Sequence, residues 1–116
     1  MASSFKKYFK QAVGTANTTI YNPTASGIQA TVIGMSIANR QTNAIAISIL
    51  VSTGANSASA GANTVYVVKD AAVPPGSSII PIGGDQKLVL VQNDYLECYS
   101  NAASSADVLI SVLEIT

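Results

Sequence analysis

The sequence predicts an all-β chain: a single Greek-key, jelly-roll-like or immunoglobulin-like β-sandwich of about eight strands with an N-terminal arm. Three observations carry that prediction. Apolar residues alternate with period two along most of the chain, which is the strand period and not the longer period of a helix. The apolar stretches are short and are separated by clusters of Pro, Gly, Asn and Asp, the residues that turns require. Of the 116 residues, 48% are hydrophobic and only 10% are charged, a composition suited to packing. A chain of this length forms one domain, divided here into an arm over 1–13 and a sandwich over 14–116.

The first thirteen residues hold Lys6, Lys7 and Lys10 together with Phe5, Tyr8 and Phe9. Phe5, Tyr8, Phe9 and Ala12 have helical spacing, but lysines in a first turn would oppose the helix dipole, so the segment reads as an extended arm. Its lysines admit two readings, a solvated tail or an arm docked on an acidic neighbour or a phosphate.

From Asn17 onward the reading is β. Thr18–Tyr21 is a short strand stopped by Asn22-Pro23. In the stretch Ile28–Asn39 the residues Thr31, Ile33, Met35 and Ile37 share one face, read as the core face, and Ala30, Val32, Gly34 and Ser36 share the other. A polar turn, 39–43, leads to a strand in which Ile45, Ile47, Ile49 and Val51 alternate with Ala46, Ser48 and Leu50, and the two strands are expected to form a hairpin. Residues 52–63 contain nothing large and read as a surface loop.

Thr64–Lys69 resumes the alternation, and Pro74-Pro75-Gly76 makes a turn. Ile79–Ile82 contains Pro81 and belongs at a sheet edge. After Gly83-Gly84-Asp85, the strands Lys87–Val91 and Tyr95–Ser100 flank Gln92-Asn93-Asp94 and are expected to form a second hairpin. Asp107–Thr116 is apolar on both faces, which places it centrally in a sheet or beneath another subunit.

Residues that carry chemistry are scarce. The chain has no histidine, the usual base near neutrality. Asp94 and Glu97 would point to opposite faces of a strand and read as a turn residue and a solvated side chain, with Asp85, Asp107 and Glu114 scattered elsewhere. Gly83-Gly84-Asp85 lacks the helix and oxygen ligands of phosphate or calcium loops. Tyr8, Tyr21, Tyr66, Tyr95 and Tyr99 read as packing residues, because no basic residues interleave with most of them. Cys98, the single cysteine, reads as a buried inert thiol. No catalytic, cofactor or metal site is expected, and no enzyme activity. The candidate contacts are for assembly: Phe5, Lys6, Lys7, Tyr8, Phe9 and Lys10.

Six basic and six acidic residues cancel. A zero net charge gives no field to draw nucleic acid or a membrane, and little protection against association, so cover by neighbouring subunits is expected. The N-terminal residues lack the apolar core of a secretory signal, and the expectation is a soluble protein made in a cytoplasm, in which the Asn17-Thr18-Thr19 sequon is accidental.

The second half, read in order, resembles small virion structural proteins of tailed bacteriophages, many of them from cyanophages and marine phages. The similar residues are Tyr66-Val67-Val68-Lys69-Asp70, Val73-Pro74-Pro75-Gly76-Ser77-Ser78, Gly83-Gly84-Asp85-Gln86-Lys87-Leu88-Val89-Leu90, Asn93-Asp94 and Val108-Leu109-Ile110-Ser111-Val112-Leu113-Glu114. Gly14-Thr15, Thr18-Thr19-Ile20-Tyr21 and Ile37-Ala38-Asn39 agree in the first half. Asn93 stands where the resemblance leads one to expect Gly, an exchange that left-handed backbone tolerates. The resemblance implies a virion protein with no catalytic set. Its first implied role is a capsid decoration or cement protein, a homo-oligomer such as a trimer bound to the major capsid protein, and the alternative is a neck, collar, tail or baseplate subunit. A receptor- or carbohydrate-binding module is a further class, disfavoured because the 52–63 loop holds no aromatic residue.

Overall fold

The structure, a computed structural model, describes residues 3–23, 27–53, 64–83 and 87–115, and these form nine strands and no helix. In chain order they are β1 (Ser3–Val13), β2 (Thr18–Tyr21), β3 (Gln29–Asn39), β4 (Ile45–Thr53), β5 (Thr64–Val73), β6 (Ser78–Ile82), β7 (Leu88–Val91), β8 (Asp94–Ser100) and β9 (Ala106–Ile115). One sheet runs β1-β9-β3, with β6 and β7 lying end to end along the far side of β3; the other runs β2-β8-β4-β5. All pairings are antiparallel. With β6 and β7 taken as two halves of one edge strand, every connection except β4–β5 crosses between two four-position sheets. That is the double Greek key of a jelly roll.

This topology corrects both expected hairpins. β3 and β4 lie in different sheets, and so do β7 and β8, so the turns at 40–44 and 92–93 carry the chain across the sandwich. Asn39 organises the first crossing: its amide donates to the carbonyls of Asn43 and Val73, and its Oδ1 accepts from the Gln41 N–H. Asn93 makes the second with φ 71°, the left-handed backbone that the Gly-for-Asn comparison implied. Between β5 and β6, Pro75-Gly76 forms a turn closed by the Ser77 N–H on the Pro74 carbonyl at 3.2 Å, with Gly76 at φ 70°.

The core between the sheets is aliphatic, built from Ile45, Ile47 and Ile49 on β4, Leu96 and Cys98 on β8, and Val108, Ile110 and Val112 on β9. On β3 the expected core face is half corrected. Opposite Val112 and Ser111 the register passes from Val32 to Gly34, so Ile33 is the extra residue of a β-bulge. The bulge resets the alternation: Ala30 and Val32 are buried before it, Met35 and Ile37 after it, and Thr31 and Ile33 are only partly covered. The remaining elements keep their reading: Pro81 lies in an edge strand, and β9 is central between β1 and β3.

Ser3–Val13 of the N-terminal segment is extended and forms the edge strand of its sheet, paired with β9 from Ser3↔Ile115 to Val13↔Ala106. It is therefore part of the sandwich and does not stand off as a separate arm. The expected 52–63 loop begins later, because Ser52 and Thr53 end β4; positions 54–63, and Gly84-Asp85 of the glycine-rich turn, lie outside the described residues.

Candidate assembly surface

The pairing register decides which side chains share a face. Tyr8 is opposite Ile110 and Lys6 opposite Val112, on the inner side, whereas Phe5, Lys7 and Phe9 are opposite Leu113, Ser111 and Leu109, on the outer side. Continuing across β3, Leu113 is opposite Thr31, Ser111 opposite Gly34 and Leu109 opposite Ser36; beyond β3, Thr31 is opposite Val89. Ile80 of β6 flanks a shallow depression with Gly34, Ser36, Leu109 and Ser111. Two apolar rows result, Phe5–Leu113–Thr31–Val89 and Phe9–Leu109–Ser36–Ile80, separated by the small residues Ser111 and Gly34.

This outer face is open to solvent. Phe5 is 78% exposed, Ile80 71%, Phe9 63%, Val89 61%, and Leu109 and Val91 45% each. Among the described residues, the one other large exposed hydrophobic, Val65, lies on the opposite sheet. Lys7 lies in the strip between the rows and forms no ion pair among the described residues, and exposed Lys87 directly precedes Leu88 of β7 at the far edge of the same face. At one end of the face the Asp107 carboxylate accepts from the Ala12 N–H at 3.0 Å and meets the Arg40 guanidinium at 3.5 Å.

The six expected assembly residues therefore divide. Phe5, Lys7 and Phe9 reach the outer face. Lys10 is exposed near the Arg40–Asp107 end, beside a depression lined by Phe9, Gln11 and Ala38. Lys6 and Tyr8 turn inward to a carboxylate of the same chain: Lys6 Nζ lies 3.1 Å from Glu114, and the Tyr8 hydroxyl donates to it at 2.8 Å. Tyr21 on β2 donates to the same Glu114 oxygen, and the Tyr8 and Tyr21 rings pack with centroids 4.7 Å apart. Lys6 is thus paired within its own sandwich and not with another chain. The sequence offered no sign of this, because Lys6 and Glu114 are brought together only by the β1–β9 ladder.

The electrostatics of this latch follow from its burial. Burial by itself would raise the Glu114 carboxyl, but the hydroxyls of Tyr21 and Tyr8 and the Lys6 ammonium outweigh it, and its pKa is lowered. Burial first, then the hydrogen bond to Glu114, pushes the Tyr8 hydroxyl up to about 12. Tyr21 is raised by the same causes.

Glu97 corrects a second expectation. It is fully buried, not solvated, and accepts from Thr19 and Ser52 hydroxyls at 3.3 Å each. Asp94 is a turn residue as read, accepting from the Thr53 hydroxyl and the Val91 N–H. On the outer side of the second sheet the Tyr66 and Tyr99 hydroxyls are 3.2 Å apart, with Lys69 over the Tyr66 ring. Cys98 is buried and its thiol is pushed up to about 12 by desolvation, so it is chemically quiet.

No protein-family model matches the chain, and no curated protein does. Among solved structures it is similar to a protein of Bacillus endospore appendages, described as a family of disulfide-linked pili, with a TM-score of 0.57 and 16% identity over 98% of this chain and 88% of that one. Two infectious bursal disease virus structures also align. One is the T13 viral particle, at a TM-score of 0.48 and 9% identity over 97% of this chain and 35% of that one. The other is the Gx strain, at 0.45 and 10% over 98% and 34%. The likeness to the appendage protein is one of fold; the two viral alignments are too distant to carry an argument.

Proposed function

We propose that this chain is a structural subunit of a virion, a jelly-roll block that decorates a tailed-phage shell and works by burying surface against neighbouring proteins and its own copies. The observation that supports this reading is the outer face of the β1-β9-β3-β6/β7 sheet. A monomer rarely leaves a contiguous apolar patch beyond about 300–600 Å² uncovered. Here exposed Phe5, Phe9, Ile80, Val89, Val91 and Leu109 lie together on one sheet face. The proposed role involves no reaction, and it agrees with a composition poor in titratable groups. Burial of such a face stabilises a contact by roughly 25 cal/mol per Å² before association costs.

Disulfide linkage is not part of this role, because the single cysteine is buried. The test is reconstitution: purified chain is added to shells that lack it, and shell rupture on heating is followed by light scattering. Protection by the native chain, lost in Phe5→Glu/Phe9→Glu, is the expected result. Absence of the chain from particles, or equal protection by both forms, would refute it. A copy number limited to one ring's worth would move the subunit to the neck or tail.

A further inference from the structure

We propose that the outer face of the β1-β9-β3-β6/β7 sheet pairs with the same face of a second copy, about a two-fold axis parallel to the strands and passing between β9 and β3. The inference rests on the assembly reading above and names its partner.

The face is self-complementary in size. A two-fold along the strands keeps each cross-strand row in place and reverses its order, so that the β1 edge of one copy lies over the β6/β7 edge of the other. In the first row Phe5 then faces Val89 and Leu113 faces Thr31; in the second, Phe9 faces Ile80 and Leu109 faces Ser36. Every large side chain meets a smaller one, and Ser111 meets Gly34 at the centre, which lets the two sheets approach closely. Adding a Cβ at Gly34 would encounter nothing nearer than the Ile82 carbonyl at 3.7 Å, so the trough is open rather than filled from within.

Area and charge agree. At about 200 Å² for each fully exposed large apolar side chain, the six exposed residues present about 700 Å², close to the roughly 800 Å² per partner of a standard stable interface. Lys7 and Lys87 lie at the two edges of the face, on β1 and just before β7, and the centre of the pair, at Ser111 and Gly34, carries no charge.

The test uses the whole chain. Sedimentation equilibrium should show a dimer, and Leu109→Lys, at the centre of the face, should raise the dissociation constant by about tenfold or more while leaving the circular dichroism spectrum unchanged. Geometry is checked with a short bismaleimide on an equimolar mixture of Phe9→Cys and Ile80→Cys chains, the native cysteine being buried. The mixed cross-link should dominate, because the two Phe9 positions of a pair are about 14 Å apart across the strands. A Phe9–Phe9 cross-link in place of the mixed one would overturn the axis. A monomeric native chain would overturn the pairing altogether; if that monomer still protected shells in a Phe5- and Phe9-dependent way, the structural role would stand and the partner would be the shell.

Discussion

The Glu114 carboxylate accepts hydroxyls from both sheets, Tyr8 of β1 and Tyr21 of β2, and it also holds the Lys6 ammonium. A carboxyl kept below its unfolded value of about 4.3 stabilises the fold above that pH, and the contribution is lost as pH falls through the folded value. For Tyr8, raised to about 12, the contribution is whole below about 10 and is lost as pH rises from there toward 12. Melting temperature is thus expected to be flat between about pH 5 and 9 and to fall on both sides. Glu114→Gln should flatten the acid limb and cost about 1–2 kcal/mol at neutral pH, read from urea titrations. Neither this latch nor the burial of Glu97 was legible in the sequence, since residue type reports chemistry and not depth. Cys98 was legible, because its apolar neighbours Leu96 and Tyr99 leave no basic group beside it.

Strands were the most legible elements, and their partners the least. Ile45, Ile47 and Ile49 fell on the core face as their alternation implied. Strict alternation failed at Ile33, where one extra residue inverts every later side chain on β3; the adjacent Gly34, an isolated glycine within a strand, is the one local sign of that bulge. Both hairpins were misread for a related reason: a short turn between two strands fits a crossover between sheets as well as a return along one sheet, and period two reports only which side is buried. Asn93 illustrates the geometry a crossover needs. With φ 71° it should accept Asn93→Gly within about 0.5 kcal/mol, whereas Asn93→Val should cost about 1–2 kcal/mol, measured by chemical denaturation. Equal stability of the two variants would deny that left-handed backbone matters there.

Across the whole molecule, β4 and β5 are the one consecutive pair of described strands that share a ladder; all other ladders join distant segments. Folding of such a topology belongs in the millisecond-to-second range, and stopped-flow refolding is expected to find it there. The sandwich was visible in composition and alternation, and the assembly surface was visible in part, through Phe5 and Phe9; Ile80, Val89 and Leu109 join them only once β9, β3 and β6/β7 lie side by side. The lysines of β1 have a separate consequence. An exposed edge of eleven residues is a template on which strands from other chains could zip without limit, and the exposed ammonium groups of Lys7 and Lys10 beside that edge make such growth unfavourable. On the proposed reading, stacking would run through the broad apolar side while the flank resists nucleating fibres, which would confine polymerisation to contacts that close.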